Sequence, residues 1–217
     1  MQSLSHWLER RRRVWRARRL RAFVRLAGAR PGDRVLDLGG NVEWWSLCRE
    51  PYDVTLFNLK AEAADSERPW LKPANGTRWR IEVGDAADLS RYEDASFDWV
   101  FSNSLIEHLG DDERVARFAA EVRRVGKGYW VQTPAGCFPV EAHTGIPGFW
   151  ALPSGLRGAL ARRIDARRAA QPWACSVVET RCIGRRQLRG LFPDGRLHVE
   201  WLAGWPKSWS MYRRGAA

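Results

Sequence analysis

The chain has no CxxC pair, and its four cysteines, Cys48, Cys137, Cys175 and Cys182, offer no zinc-binding spacing. No metal site is therefore expected, and reduced thiols in a cytoplasmic protein are the natural reading, with a Cys175–Cys182 bridge the one pairing left open. No run approaches the roughly 18 apolar residues of a membrane span. An early arginine run is never followed by the apolar segment of a secretory signal. Internal repeats and polar low-complexity tracts are missing, and a 45% hydrophobic, 28% charged composition describes a globular chain rather than a disordered one. A ribonucleoprotein box and a KH loop are both lacking, which argues against a dedicated RNA-recognition module. At 217 residues, one domain with an added subdomain fits comfortably.

What the chain does have is positive charge in one place. Of the net charge of +11, residues 1–30 carry +9, from ten arginines and one glutamate. The rest is nearly neutral. Residues 4–27 read as one long helix, with Leu20, Phe23, Val24 and Ala27 in an apolar stripe and Gly28 as its stop signal. Arginines at 10–13, 16, 18, 19, 21 and 25 are too dense to share one buried face. The half from Leu20 onward is expected to pack on the core. The first half would project basic side chains, either simply into solvent or toward nucleic acid, an anionic membrane or an acidic partner.

Beyond this arm the pattern alternates. Strands are predicted at 35–38, 54–57, 79–83, 97–102 and 129–133, with helices at 42–49 and 111–125 and, over the polar stretch 60–77, at most a broken helix and a loop. Such alternation specifies a parallel sheet with helices on both faces. Residues 135–179 break the rhythm with four prolines and an arginine-rich helix near 156–170. A helix at 184–191 and strands at 197–202 and 208–212, joined by a short glycine-containing link, add an antiparallel pair. The divisions are a basic N-terminal helix (1–30), a core (31–134), an inserted lid or substrate segment (135–183), and a C-terminal helix with two strands completing the sheet (184–217).

The sharpest segment is Val35-Leu36-Asp37-Leu38-Gly39-Gly40-Asn41. Glycines directly after a buried strand let a ligand approach the backbone, and Asp37 can accept from an amino group or an ordered water. Gly84-Asp85-Ala86 and Ser102-Asn103-Ser104 follow the third and fourth strands, at the carboxyl ends where ligands of open α/β sheets sit. Asp85 is either a ligand for an exocyclic amine or a helix cap.

Taken together, Asp37-Leu38-Gly39-Gly40, Val83-Gly84-Asp85-Ala86-Ala87-Asp88-Leu89 and Ser96 through Leu109, with its Ser102-Asn103-Ser104-Leu105-Ile106-Glu107-His108 core, resemble the class I S-adenosylmethionine-dependent methyltransferases, most closely the broad type 11 methyltransferase domain. The resemblance spans 34–134, roughly half of the chain. It implies an α/β, Rossmann-like methyltransferase fold: a mostly parallel seven-stranded sheet, helices on both faces and an antiparallel last strand. It also implies S-adenosyl-L-methionine as cofactor. Asp37, Gly39 and Gly40 would hold the methionine part, with Asn41 standing where the family has another glycine. Asn58, with Leu59 beside it, stands where an acid usually grips both ribose hydroxyls; an amide can accept from one hydroxyl and donate to the other. Asp85 and Ala86 would read adenine, and Ser102 and Asn103 would line the cleft. These two asparagines leave a degenerate, inactive binding module as the alternative to an enzyme.

The position after strand five faces the reaction centre in this fold. His143 is the first candidate general base, since neutral imidazole can take an acceptor's proton near neutrality; its other reading is a loop-packing residue. Glu141 is the second candidate, and His108 would wall the sulfonium or acceptor pocket. Phe138, Phe149 and Trp150 either line an apolar acceptor pocket or cover the sheet edge as a lid. The acceptor is expected to be a small molecule, or a lipid- or glycan-linked one, in preference to RNA. A nicotinamide dehydrogenase fails twice, for want of Gly-x-Gly-x-x-Gly and of the acid after strand two.

Overall fold

The computed structural model describes residues 13–60, 75–169 and 176–215. Seven strands, β1 (Arg34–Leu38), β2 (Asp53–Asn58), β3 (Arg78–Val83), β4 (Phe97–Asn103), β5 (Gly126–Pro134), β6 (Arg196–Leu202) and β7 (Trp205–Arg213), form one sheet in the order β3-β2-β1-β4-β5-β7-β6. The first five pair in parallel, and β7 runs antiparallel between β5 and β6. Val35, Leu36, Leu38, Val54, Leu56 and Phe57 are buried whichever face they point to, as expected of parallel strands covered on both sides. Ala203 and Gly204, with φ of 50° and 80°, make the two-residue turn between β6 and β7, where two positive φ values match the strand twist.

One face is covered by α1, helical over residues 13–27, whose last turn, Phe23–Ala27, is a π-turn closed by left-handed Gly28. As the stripe predicted, Leu20, Phe23 and Ala27 are buried while Arg13, Arg18, Arg21 and Arg25 are exposed. Phe23 lies edge-on to Trp45, Trp99, Phe101 and Trp130. The earlier part of the expected 4–27 helix, the 61–74 loop segment and residues 170–175, with Cys175, fall outside the described residues.

The helix expected at 42–49 is a single turn, α2 (Val42–Trp45). Leu47 and Cys48 bond back only three residues, and the Ser46 hydroxyl donates to the Glu43 carbonyl. The ladder thus tightens and ends, letting the chain turn toward β2. On the opposite face lie α3 (Asp112–Val125) and α5 (Arg185–Leu191). The first is capped by Asp111 and buries Val115, Phe118, Ala119, Val122 and Val125 at helical spacing. The remaining helix, α4 (Ser154–Arg168), buries only Ala161. It belongs to a small separate core of Phe149, Ala161 and Val177. Asp165 fastens the returning chain, accepting from the Val177 and Val178 amides and the Ser176 hydroxyl. Cys48, Cys137 and Cys182 are free thiols. Among the described residues no helix is long and apolar enough to cross a membrane.

Candidate functional site

The turn after β1 is built for close approach. Gly39 has φ of 77°, a left-handed conformation that favours glycine. A Cβ there would lie 3.0 Å from Leu105 Cδ1, and one on Gly40 would collide with the Asp37 carboxyl. Asp37 is 1% exposed. Its Oδ2 accepts from Trp45 Nε1 at 2.8 Å, whereas Oδ1 is buried without a partner. Burial lifts its pKa from 3.8 to about 7, only partly countered by the indole N–H. A cationic amine is the group that such a half-satisfied carboxyl lacks, so these residues fit an amino-acid ligand.

Neighbouring strand ends are more committed than the sequence suggests. Asn58, buried at the end of β2, donates through Nδ2 to the Gly40 carbonyl at 3.0 Å, so its amide braces the glycine turn. Leu59 beside it is exposed. Asn41 caps α2 by accepting from the Trp44 amide. Asp85 takes Arg114 Nη2 on both oxygens, at 3.0 and 2.9 Å, and also accepts from the Ala87 amide. It therefore serves as a local cap and ion-pair partner, beside buried Ala86. The Ser102 hydroxyl donates to the Leu38 carbonyl, joining the ends of β4 and β1. Asn103 Oδ1 accepts from Arg19 Nη1 at 2.6 Å, and Arg19 Nη2 reaches Glu200 at 2.7 Å. Nothing in the sequence pattern singled out Arg19, because its partners lie 84 and 181 residues away.

Past β4 and β5 the three acceptor-side candidates do meet. His108 Nε2 and His143 Nε2 are 3.1 Å apart. His143 Nδ1 lies 2.8 Å from Glu141 Oε1, while Glu141 Oε2 accepts from the backbone amides of His143 and Thr144. A fourth member was not anticipated. Glu107, 1% exposed, has Oε1 3.9 Å from His143 Nε2, and neither carboxylate oxygen has a hydrogen-bond partner. The nearby Thr133 hydroxyl lies close enough to lower its pKa, yet no hydrogen bond of good geometry closes between them. Its signal was a lone acid in the turn Ile106–His108, but the partner that gives it meaning is contributed by a distant loop.

Electrostatics differentiate the four groups. Burial raises Glu107 to about 7 against the pull of His143. It pushes His108 down to about 4, assisted by the neighbouring imidazole and opposed by Glu141. Burial also disfavours charge on His143, yet the Glu141 bond and the charges of Glu107 and Glu141 outweigh it, and its pKa rises. Glu141 stays below its usual range because the bonds from His143 and Thr144 exceed its own desolvation. A proton entering the group thus settles on His143, between two carboxyls.

A cavity of about 600 Å³ adjoins this group through Thr180, whose hydroxyl lies 3.3 Å from His108 Nδ1. Phe149, Trp150, Ala161 and Val177 supply apolar wall, and Arg157 and Arg181 supply charge. Phe138 is not part of the lining; the segment after it, with α4, forms the wall instead.

Residues 36–128 match the family model described as a methyltransferase domain. No curated protein matches the chain in sequence. Solved structures do match in fold. A SAM-dependent methyltransferase from Methanosarcina mazei superposes with a TM-score of 0.52 at 19% identity, covering 85% of this chain and 92% of that one. A second, from Aquifex aeolicus, gives 0.53 at 13%, covering 88% and 87%. Magnesium protoporphyrin IX methyltransferase from Synechocystis, with bound SAH, gives 0.53 at 14%, covering 90% and 80%. Residues 36–128, from β1 into the start of β5, thus match a methyltransferase domain, and the sheet order around them gives the chain the fold of these S-adenosylmethionine-dependent methyltransferases.

Proposed function

We propose that the chain transfers a methyl group from S-adenosylmethionine to a small apolar acceptor carrying an anionic group. The observation that carries this reading is the convergence, past the ends of β4 and β5, of Glu107, His108, Glu141 and His143 beside a cavity with apolar and guanidinium walls. Asp37, Gly39 and Gly40 would hold the methionine part of the cofactor, and the Oδ1 of Asn58 remains for a ribose hydroxyl. Once bound, S-adenosylmethionine supplies a methyl already activated by its sulfonium, so alignment and removal of one acceptor proton are what the protein must add. The four-residue group is where that proton leaves. Phe149 and Trp150 exclude water from the acceptor, and Arg157 and Arg181 orient its anionic end. Arg181 suits the task, because its Nη1 is buried without a partner while Nη2 pairs with Asp112. A lipid- or glycan-linked acceptor would have to enter through the same cavity.

The engaged Asn58 amide and the Arg114-bound Asp85 favour one rival, a methyltransferase fold retained as a binding module. Calorimetry with S-adenosylmethionine separates the two. Micromolar-range binding, lost when Gly39→Val fills the turn in a variant that keeps its circular dichroism, supports the enzyme reading. No heat of binding to the intact chain would overturn it. The arginine-rich arm before Leu20 is a docking element for an anionic surface on the same proposal. Affinity there should fall steeply with salt and weaken strongly when residues 1–13, with Arg10 to Arg13, are deleted.

A further inference from the structure

We infer that Glu107, His108 and His143 form a binding site for a divalent transition-metal ion of the zinc class. The inference rests on the proposed function only for what the ion would do, not for whether it binds.

Hydrogen positions fix the tautomers of both rings. Thr180 donates its single hydroxyl hydrogen to the Ser176 carbonyl at 2.7 Å. Toward His108 Nδ1 it can therefore only accept, so Nδ1 carries hydrogen and Nε2 presents a lone pair. Glu141 Oε1 fixes the other ring in the same way: Nδ1–H of His143 donates to the carboxylate, and in the neutral ring Nε2 also presents a lone pair. Two nitrogen lone pairs then face each other at 3.1 Å. Such an arrangement is repulsive unless a positive centre is shared between them.

The spacing suits a metal. Two imidazole nitrogens at zinc bond lengths of about 2.0–2.1 Å and tetrahedral angles sit roughly 3.3 Å apart. The third donor is the Glu107 carboxylate, buried, unpartnered and 3.9 Å from His143 Nε2. The donor atoms of all three residues lie within 4.8 Å of one another. Each histidine has the outer partner that metal-bound imidazoles require, Glu141 for His143 and Thr180 for His108, fixing tautomer and ring orientation. A buried carboxylate with no hydrogen bond is otherwise costly, and a cation would satisfy it. Two histidines and one carboxylate leave a coordination position open, as catalytic zinc sites do. An acceptor oxygen bound there would lose its proton more readily. The cysteine spacing could not reveal this site, because no cysteine contributes to it.

The test uses the untagged 217-residue chain after chelator treatment, with Co²⁺ as an optical probe and Zn²⁺ in calorimetry. Visible d–d bands without thiolate charge transfer, displaced by Zn²⁺ at one equivalent, are expected. His108→Ala and Glu107→Gln should abolish them, while Glu141→Gln, which only positions His143, should weaken Zn²⁺ binding on the order of 10–100-fold. Circular dichroism confirms that each variant folds; if His108→Ala does not, the milder His108→Gln takes its place. Absence of bands and of Zn²⁺ heat in the intact chain, or equal binding by the variants, overturns the site and leaves a shared proton between the imidazoles. S-adenosylmethionine binding is measured in parallel, so that a chain holding metal but no cofactor refutes the methyltransferase activity alone.

Discussion

Replacing Asp37 by asparagine should stabilise the ligand-free protein, and increasingly so as pH rises. Burial lifts Asp37 from 3.8 to about 7, so the folded protein keeps a proton that the unfolded chain has released. Stability linked to this group is therefore complete below the unfolded pKa and is lost as pH climbs through about 7. Asparagine holds no such proton. Between about pH 5 and about pH 8 the folded carboxyl stays costly over roughly two pK units, so the advantage of Asp37→Asn should grow by about 3 kcal/mol at 1.36 kcal/mol per unit. Comparing two pH values cancels fixed terms, including the orphaned position at Oδ1, which an amide NH₂ would also leave unpartnered. Urea unfolding of both proteins at the two pH values measures the quantity. Calorimetry on the same samples should show weakened S-adenosylmethionine binding, because a cationic amine stabilises a carboxylate and gains nothing from an amide. An advantage that is flat or shrinks toward high pH would show that Asp37 is already ionised when folded, and the burial argument would fall.

Phe23→Ala should cost about 3–5 kcal/mol in urea unfolding, because it empties the point where α1 meets four aromatic rings. A loss below about 1 kcal/mol would mean that α1 is only loosely docked. Arg19→Met should cost about 3 kcal/mol by stranding Glu200, whose ion-pair side chains are 11% and 12% exposed. The double variant Arg19→Met/Glu200→Met should recover most of that loss, and a double variant worse than the single would refute the pairing. Asn58→Asp should lower ligand-free stability by about 1–3 kcal/mol, since a carboxylate cannot donate to the Gly40 carbonyl. Cofactor affinity should nevertheless hold or tighten as the ribose gains a charged acceptor; a folded variant without affinity would place the ribose elsewhere.

Local sequence determined the strands and the glycine turn after β1 because their causes are local. A strand buried on both faces must be a short, nearly continuous apolar run, as in Val35-Leu36 and in Val54, Leu56 and Phe57 around buried Thr55. Glycine where φ is 77° follows from backbone sterics alone. Half of α1 was legible too, since its stripe of Leu20, Phe23 and Ala27 has helical period. The four-residue group past β4 and β5 was different. His143, Glu141 and His108 could be nominated from their places after strands, but Glu107 gained its role only when a loop brought His143 across 35 residues of chain to face His108. The same holds for Asn58, Asp85 and Asn103, whose side chains the tertiary structure engages with Gly40, Arg114 and Arg19. Residue type states what a side chain can bind. Which partner it finds is decided by packing, because buried polar atoms take whatever donor or acceptor the assembled fold places within reach.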